Sequence, residues 1–464
     1  MTAFGLPEEP NQTMGGIFKA YDVRGLYPEE LNEALARKIG RAFQFVLDSE
    51  DRSRGSSIVV SRDMRSHSEP IARELIAGLT ESGFDVIDIG LATTPMNYFA
   101  VGSLGTAGGI QVTASHNPAR YNGLKFSRHG ARPVSGDHGI PLMEKKVAAG
   151  DLPVAPAPGS VSTAEVFDAY RAHVLSFLRR PQGARRLRVV VDAANGMGTL
   201  YKPILEDLGI DLIPLYFELD GTFPNHEANP LKLENLRDLS AAVVSEGADL
   251  GVSFDGDADR SAFVDEKGAP IGSDLTTALI GGEILGREPG KHVLYDLRSS
   301  RAVAEYIREA GGIPVRERVG HSFMKATLRQ KEGIFGGELA GHYYFRDNYN
   351  ADCAILAVVE ILNVLWHTGE PLSALVAPLL RYSKTPEINF QVEDKQGKMD
   401  ALAERYSDAE IDYLDGITIQ YPDWWCNVRP SNTEPYLRLV LEAATGAEME
   451  RRRDELIAQL GQPV

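Results

Sequence analysis

Three times along the chain a short β-branched run gives way to polar turn residues. Ile58-Val59-Val60 precedes Ser61-Arg62-Asp63, Val189-Val190-Val191 precedes Asp192, and Val293-Leu294-Tyr295 precedes Asp296. Runs apolar at every position mark strands buried on both faces. Each is followed by a helical segment and a second strand candidate: Phe84–Ile89, Ile210–Tyr216 and Ile313–Arg316. A third apolar run then ends in a loop of unusual chemistry, Thr113–Pro118 (TASHNP), Asp255–Arg260 (DGDADR) or Gly336–His342 (GGELAGH). Strands alternating with helices predict βαβ units and parallel sheets, in which ligands collect beyond the carboxyl ends of the strands. Three related α/β units, each lending one loop to a shared cleft, are the economical reading.

The pattern changes near the end. Ile388–Val392, Ile417–Tyr421 and Leu437–Leu441 read as strands without long crossover helices between them, followed by a charged helical segment, Ala447–Leu460. That predicts a smaller α+β domain with an antiparallel sheet. The Pro-rich stretch Asp151–Gly159 reads as a linker. The expected domains are 1–155, 156–262 and 263–378, all α/β with mixed or parallel sheets, and 379–464, α+β.

Composition narrows the function classes. The 464 residues carry 48 Lys and Arg against 65 Asp and Glu, a formal charge of −17, which argues against a broad nucleic-acid binder but leaves room for local anion pockets. The longest apolar stretch, Ile355–Trp366, is interrupted by Glu360 and Asn363 and is too short to span a bilayer, so a core helix is expected. The first residues show no secretory pattern. Cys353 and Cys426 are far apart and lack metal-type spacing. A soluble, cytoplasmic protein is the expectation.

Asp255, Asp257 and Asp259 alternate with Gly256 and Ala258. In an extended loop the three carboxylates would point to one side and favour a divalent cation, with oxygen ligands suiting magnesium. The apolar run Leu250–Phe254 ahead of them weighs against a merely solvated turn. An EF-hand fails because Arg260 stands where glycine is required. A haloacid-dehalogenase-like site with Asp255 as nucleophile fits the local pattern. Ser115, beside His116 and Asn117, could be an activated hydroxyl or an incidental serine in an Asn-Pro turn. Asn122-Gly123 predicts a turn that brings Lys125 back to the same loop. Arg429-Pro430-Ser431-Asn432-Thr433-Glu434, with Arg438 beyond it, gathers phosphate-binding donors, and Tyr21-Asp22-Val23-Arg24 offers another arginine.

Five segments in order resemble the α-D-phosphohexomutase superfamily: Phe18–Gly25 (FKAYDVRG), Thr113–Pro118, Asp255–Arg260, Gly337–His342 (GELAGH) and Arg429–Pro435 (RPSNTEP). The resemblance is nearest to the bacterial phosphomannomutase/phosphoglucomutase branch. It implies four domains around one central cleft and a reaction that interconverts hexose 1- and 6-phosphates through a hexose 1,6-bisphosphate. It further implies a phosphorylated Ser115, with Mg²⁺ held by Asp255, Asp257, Asp259 and that phosphate. His116, Lys125, Arg24 and Arg260 would surround the transferring phosphoryl group, with Tyr21 nearby. Glu338 and His342 would bind sugar hydroxyls, while Arg429, Ser431, Asn432 and Thr433, with Arg438 beside them, would grip the non-reacting phosphate.

By the same resemblance, His321 matches a substrate-facing histidine. Arg298 stands where a lysine is usual and Ala340 where a serine is common, which leaves sugar choice open. The implied partners are small sugar phosphates, without nucleic acid or membrane. The alternatives are a phosphoglucosamine mutase, a phosphatase using Asp255, and a non-catalytic sugar-phosphate binder.

Overall fold

The computed structural model describes residues 16–47, 49–134, 139–431 and 436–464. Four sheets follow one another along the chain. The first contains β1 (Asp22–Leu26), β2 (Ser57–Arg62), β3 (Asp85–Leu91), β4 (Gly108–Val112), β5 (Tyr121–Arg128), β6 (Arg132–Pro133) and β7 (Val161–Thr163), in the order β1-β5-β4-β2-β3-β7 with β6 beside β5. The second contains β8 (Arg188–Asp192), β9 (Asp211–Leu215), β10 (Leu250–Phe254), β11 (Ser261–Asp265) and β12 (Pro270–Ile271), ordered β12-β11-β10-β8-β9. The third contains β13 (His292–Asp296), β14 (Ile313–Glu317), β15 (Phe335–Gly337), β16 (Tyr343–Phe345) and β17 (Ala351–Asp352), ordered β14-β13-β15-β16-β17.

The predicted repeat is therefore a mixed-sheet unit. Parallel trios β3-β2-β4, β9-β8-β10 and β14-β13-β15 each continue into an antiparallel strand, β5, β11 or β16. The three chemically unusual loops are the connections from the third parallel strand to that antiparallel neighbour. They sit at the carboxyl ends of the trios, where the strand direction reverses.

The fourth sheet is antiparallel: β18 (Ser383–Lys384), β19 (Ile388–Gln391), β20 (Glu410–Asp412), β21 (Ile417–Gln420), β22 (Trp424–Pro430) and β23 (Tyr436–Ala443), ordered β18-β23-β22-β21-β20 with β19 also on β23. The helix Gly446–Leu460 packs on it.

Two segments extend past the expected domain ends. Residues 151–159 are tied to the first unit by Ala155 N–H on Glu81 O and Gly159 N–H on Thr80 O, and β7 then joins the first sheet beside β3. Likewise β11 and β12 complete the second sheet beyond residue 262.

The apolar stretch Ile355–Trp366 lies within the helix Ala354–Thr368, buried from Ala354 to Trp366. Its two polar interruptions are satisfied: Glu360 accepts from Arg287 at 2.8 Å and from Asn363 at 3.0 Å, and Asn363 Oδ1 accepts from the Arg179 N–H at 2.8 Å. This helix belongs to one continuous core that runs from Val59 and Phe99 through Tyr201 and Phe254 to Phe335 and Leu362. Units one to three are thus fused by apolar packing, while Phe390, Trp424, Leu439 and Leu456 form a separate core in the fourth. Among the described residues no helix is long and apolar enough to cross a membrane.

Asn122-Gly123 is not a turn. Both residues lie in β5, between β1 and β4, and the reversal comes earlier, where Tyr121 N–H bonds Pro118 O. Gly123 is required by close approach: a Cβ there would lie 2.5 Å from Val23 O and 2.7 Å from Thr113 O. Gly123→Ala should therefore force β1 away from the Thr113 loop and cost about 1–3 kcal/mol by urea denaturation. An unchanged midpoint would show that the two backbones can separate freely.

Candidate active site

The loop after β4 is held from below by an arginine. Arg65 is buried beside Asp63 and donates Nη1 to Pro118 O (2.8 Å) and Tyr121 O (3.1 Å), and Nη2 to Ser115 O (2.9 Å) and Asn117 O (2.6 Å). Thr113 Oγ1 donates to Asp63 and accepts from the Ser115 N–H at 2.9 Å. These contacts fix Ser115 at φ 51°, a left-handed conformation that is costly for a residue with a Cβ. Its hydroxyl points away from the first sheet, donates to Asp255 Oδ2 at 2.7 Å and lies 3.3 Å from His116 Nδ1.

The loop after β10 converges its carboxylates by turning, not by the extended alternation expected from the sequence. Ala258 has φ 59° and its N–H bonds Asp255 O. Asp255 Oδ1 accepts the N–H groups of Asp259 and Arg260, both at 3.1 Å. Tyr201 OH secures Ala258 O at 3.1 Å. Extended backbone would leave these groups unpaired in a buried loop, so the turn prevails. Asp257 Oδ2 accepts Thr94 Oγ1 and Lys125 Nζ, each at 2.6 Å, and Thr94 stands in the first turn of the helix Thr94–Ser103, whose positive end favours an anion. The second loop and the first are in backbone contact: a Cβ on Gly256 would lie 2.3 Å from Ser115 O.

Ligand atoms of Asp255, Asp257 and Asp259 lie within 4.8 Å of one another, all buried. Lys125, in the middle of β5, reaches Asp257 at 2.6 Å and Asp259 at 2.5 Å, and Arg260 Nε lies 3.9 Å from Asp255. Burial, then Asp259 and Asp257, push the Asp255 carboxyl well above the usual range. Burial also pushes Asp259 upward, but Lys125 and His342 outweigh it and hold it low. Asp257 Oδ1 and Asp259 Oδ1 are buried without hydrogen bonds. All-oxygen donors, excess negative charge and two orphaned oxygens fit a hard divalent cation.

The other predicted residues gather around this pair of loops. Arg24 Nη1 donates to Asn117 at 2.7 Å, and its other end holds Asp22. His116 is held neutral, its pKa pulled well down by burial and by Arg260, Arg24 and Lys125. Arg260 Nε donates to His342 Nε2 at 2.9 Å, which leaves His342 Nδ1 facing Asp352 at 3.0 Å; Lys325, also buried, holds Asp352 at 2.6 Å. The His321 ring stands 5.2 Å from Tyr21 and 6.4 Å from His342. Glu338 is turned onto its own unit, accepting the Gly320 N–H at 3.0 Å and the Tyr344 hydroxyl.

In the fourth unit Arg429 on β22 lies directly opposite Arg438 on β23. Ser431 closes that pair of strands with its N–H on Tyr436 O, whereas Asn432 and Thr433 lie outside the described residues. Arg298, from the third unit, is clamped on Asp296 at 2.6 Å and faces the same place. Residues that sequence reasoning missed are Arg65, Lys325, Asp352 and Glu387, which holds the arginines. Arg65 carried a faint signal, in the polar turn after the first buried strand; the others carried none.

Comparison with known proteins follows this geometry closely. Models of the phosphoglucomutase/phosphomannomutase family match residues 15–151, 168–268 and 273–382 as its alpha/beta/alpha domains I, II and III, and 387–459 as its C-terminal domain. A Xanthomonas campestris chain described as phosphohexose mutases is 39% identical over 449 residues, covering 96% of this chain and 98% of its own. A phosphomannomutase/phosphoglucomutase of Pseudomonas syringae is 36% identical over 453 residues, covering 96% and 95%. The crystal structure of a phosphoglucomutase/phosphomannomutase family protein from Burkholderia thailandensis superposes with a TM-score of 0.88 at 35% identity, covering 96% of both chains.

Because Arg65 satisfies four carbonyls and one buried carboxylate, Arg65→Met should strip five acceptors at once. The expected loss is about 3–5 kcal/mol of stability in chemical denaturation, the range for breaking a buried pair from one side. A loss below about 1 kcal/mol would mean that the Ser115 loop holds its shape unaided.

Proposed function

The chain belongs to the phosphoglucomutase/phosphomannomutase family and is a hexose-phosphate mutase, and within that activity we propose a phosphoserine mechanism at Ser115 acting on mannose and glucose phosphates. The observation that carries the reading is the junction of the first two loops. A buried serine hydroxyl, held in a left-handed turn, points at a cluster of three buried carboxylates 2.7 Å away.

Ser115 would carry the phosphoryl group and hand it to the free hydroxyl of a bound hexose monophosphate. The bond from phosphorus to Ser115 Oγ breaks, a bond to the sugar oxygen forms, and the hydroxyl proton leaves to a base. His116, neutral and with Nδ1 beside Ser115, is placed to take that proton. Arg24, Lys125 and Arg260 supply fixed positive charge around the transferred oxygens. Asp255, Asp257 and Asp259, with the Ser115 phosphate, would hold Mg²⁺, which when bound supplies charge neutralisation to the phosphoryl oxygens. The resulting hexose 1,6-bisphosphate turns over in the cleft and returns its other phosphoryl group to Ser115. Tyr21, Arg298, His321, Glu338 and His342 would contact the sugar, and Arg429, Ser431, Asn432, Thr433 and Arg438 the non-reacting phosphate. Burial of Ser115 keeps water from the phosphoserine.

An aspartyl-phosphate route through Asp255 is poorly supported. Both oxygens of that carboxylate already accept hydrogen bonds, from Ser115 on one side and from two backbone N–H groups on the other.

The test is phosphorus NMR of the enzyme with Mg²⁺ and a trace of glucose 1,6-bisphosphate, given mannose 1-phosphate, glucose 1-phosphate or glucosamine 1-phosphate. The first two should convert to 6-phosphates without inorganic phosphate, and a chelator should stop them. Ser115→Ala should lose on the order of 10³-fold or more in rate. Full activity in Ser115→Ala, with loss confined to Asp255→Asn, would move the chemistry to the aspartate, and preference for the glucosamine phosphate would change the assigned sugar.

A further inference from the structure

The arginines of the fourth unit are not waiting alone. Glu387 Oε2 accepts from Arg429 Nη2 at 2.7 Å, Oε1 accepts from Arg438 Nη1 at 2.9 Å, and Arg298 Nη1 of the third unit lies 3.8 Å from Oε2. One carboxylate thus faces three guanidiniums, two of them through a single charge-assisted hydrogen bond each, and guanidinium groups are also the donors that grip phosphate. Asp415 also acts on Arg429, but its Oδ2 accepts the Val319 N–H, while Asp296 serves Arg298.

The position of Glu387 is set by backbone and not by the arginines. Two residues before it, Thr385 is pinned to β23 by its N–H on Leu441 O at 2.8 Å and by the Leu441 N–H on its Oγ1 at 3.0 Å. The residue after it opens β19. Lys384, in the same segment, crosses to the third unit and binds Asp274 and the carbonyl of Arg298. Glu387 is therefore delivered to the cluster by a strand edge anchored on both sides.

We infer that Glu387 is a positioning residue that competes with the substrate's non-reacting phosphate for Arg298, Arg429 and Arg438, keeping the grip weak enough to be released and remade in each catalytic cycle. The inference rests on the reading of Arg429 and Arg438 as the phosphate grip. Arg429 and Arg438 stand opposite each other as like charges and need a counter-ion when no phosphate is bound. A carboxylate satisfies them in that state, but its charge then opposes an arriving dianion. A mutase benefits from that opposition, because its bisphosphate must leave the grip and return by its other end. Too tight a hold on ground state and intermediate lowers turnover.

The experiment uses the full chain and inorganic phosphate as probe, by calorimetry, alongside mutase kinetics on glucose 1-phosphate. Glu387→Gln keeps size and one acceptor while removing the charge. It should bind phosphate about tenfold more tightly, from loss of one unit charge a few Å from a dianion. KM and kcat should both fall. Glu387→Ala should move in the same direction, and Arg438→Gln in the Glu387→Gln background should return affinity toward wild type.

Weaker or unchanged phosphate binding in both Glu387 variants, with Arg429→Gln still abolishing it, would overturn the inference and leave Glu387 as a brace for the arginines. Binding unaltered by Arg429→Gln would instead overturn the phosphate-grip reading, and this inference with it.

Discussion

Three carboxylates can share one buried turn only if positive charge is brought to them, and the rest of the site is arranged to meet that need. Two unit charges 4 Å apart interact by about 4 kcal/mol even at an effective dielectric constant near 20, so repulsion among Asp255, Asp257 and Asp259 would unfold the loop if nothing opposed it. Relief comes from different units. Lys125 arrives from β5 of the first and Arg260 from the second, while His342 of the third accepts a hydrogen bond from Arg260 and so holds it beside the loop. The loop lies where the first two units meet, with the third beside them. Units one to three are joined by a core that spans all three, beside which the first unit keeps a second core of its own, while the fourth unit's core is separate.

This dependence explains what could be read from the sequence and what could not. Each predicted loop contains its own chemistry within six or seven residues, so TASHNP, DGDADR and GGELAGH stand out as local strings at the ends of buried runs. The core helix Ala354–Thr368 was equally legible, since Glu360 and Asn363 alone interrupt its apolar run from Ala354 to Trp366. The misreadings concern conformation. DGDADR alternates like extended chain, yet buried N–H groups of Asp259 and Arg260 need the Asp255 carboxylate, which only a turn provides. Asn122-Gly123 has turn composition, but its glycine serves a three-strand crossing in which Val23 and Thr113 leave no room for a side chain.

The residues that stayed hidden act across long sequence distances. Arg65 meets the Ser115 loop 50 residues away, Glu387 meets Arg429 42 residues away, and Lys325 meets Asp352 across a fold of the third unit. Apart from the polar turn near Arg65, nothing in a local window distinguishes such residues from ordinary surface charges. They are found only when topology places them beside a carbonyl cluster or an opposite charge. Their common task is to hold a loop whose own sequence disfavours its conformation or its charge.

The two ends of the site then differ in the charge they gather. Around Ser115 three carboxylates converge, whereas around Arg429 three guanidiniums converge on Glu387, with Asp296 and Asp415 beside them. A hexose phosphate, anionic at one end and a proton donor at the other, is complementary to that arrangement in either orientation. A guanidinium fork recognises the phosphate and not the carbon that bears it, so the same arginines can serve a 1-phosphate or a 6-phosphate. On the proposed reading, sugar identity would be read between the two poles, where Tyr21, His321, His342 and Glu338 come together from the first and third units. Under that reading reversibility would follow from the same layout: neither pole would distinguish substrate from product, so direction would be left to concentration and the protein would contribute only the lowered barrier.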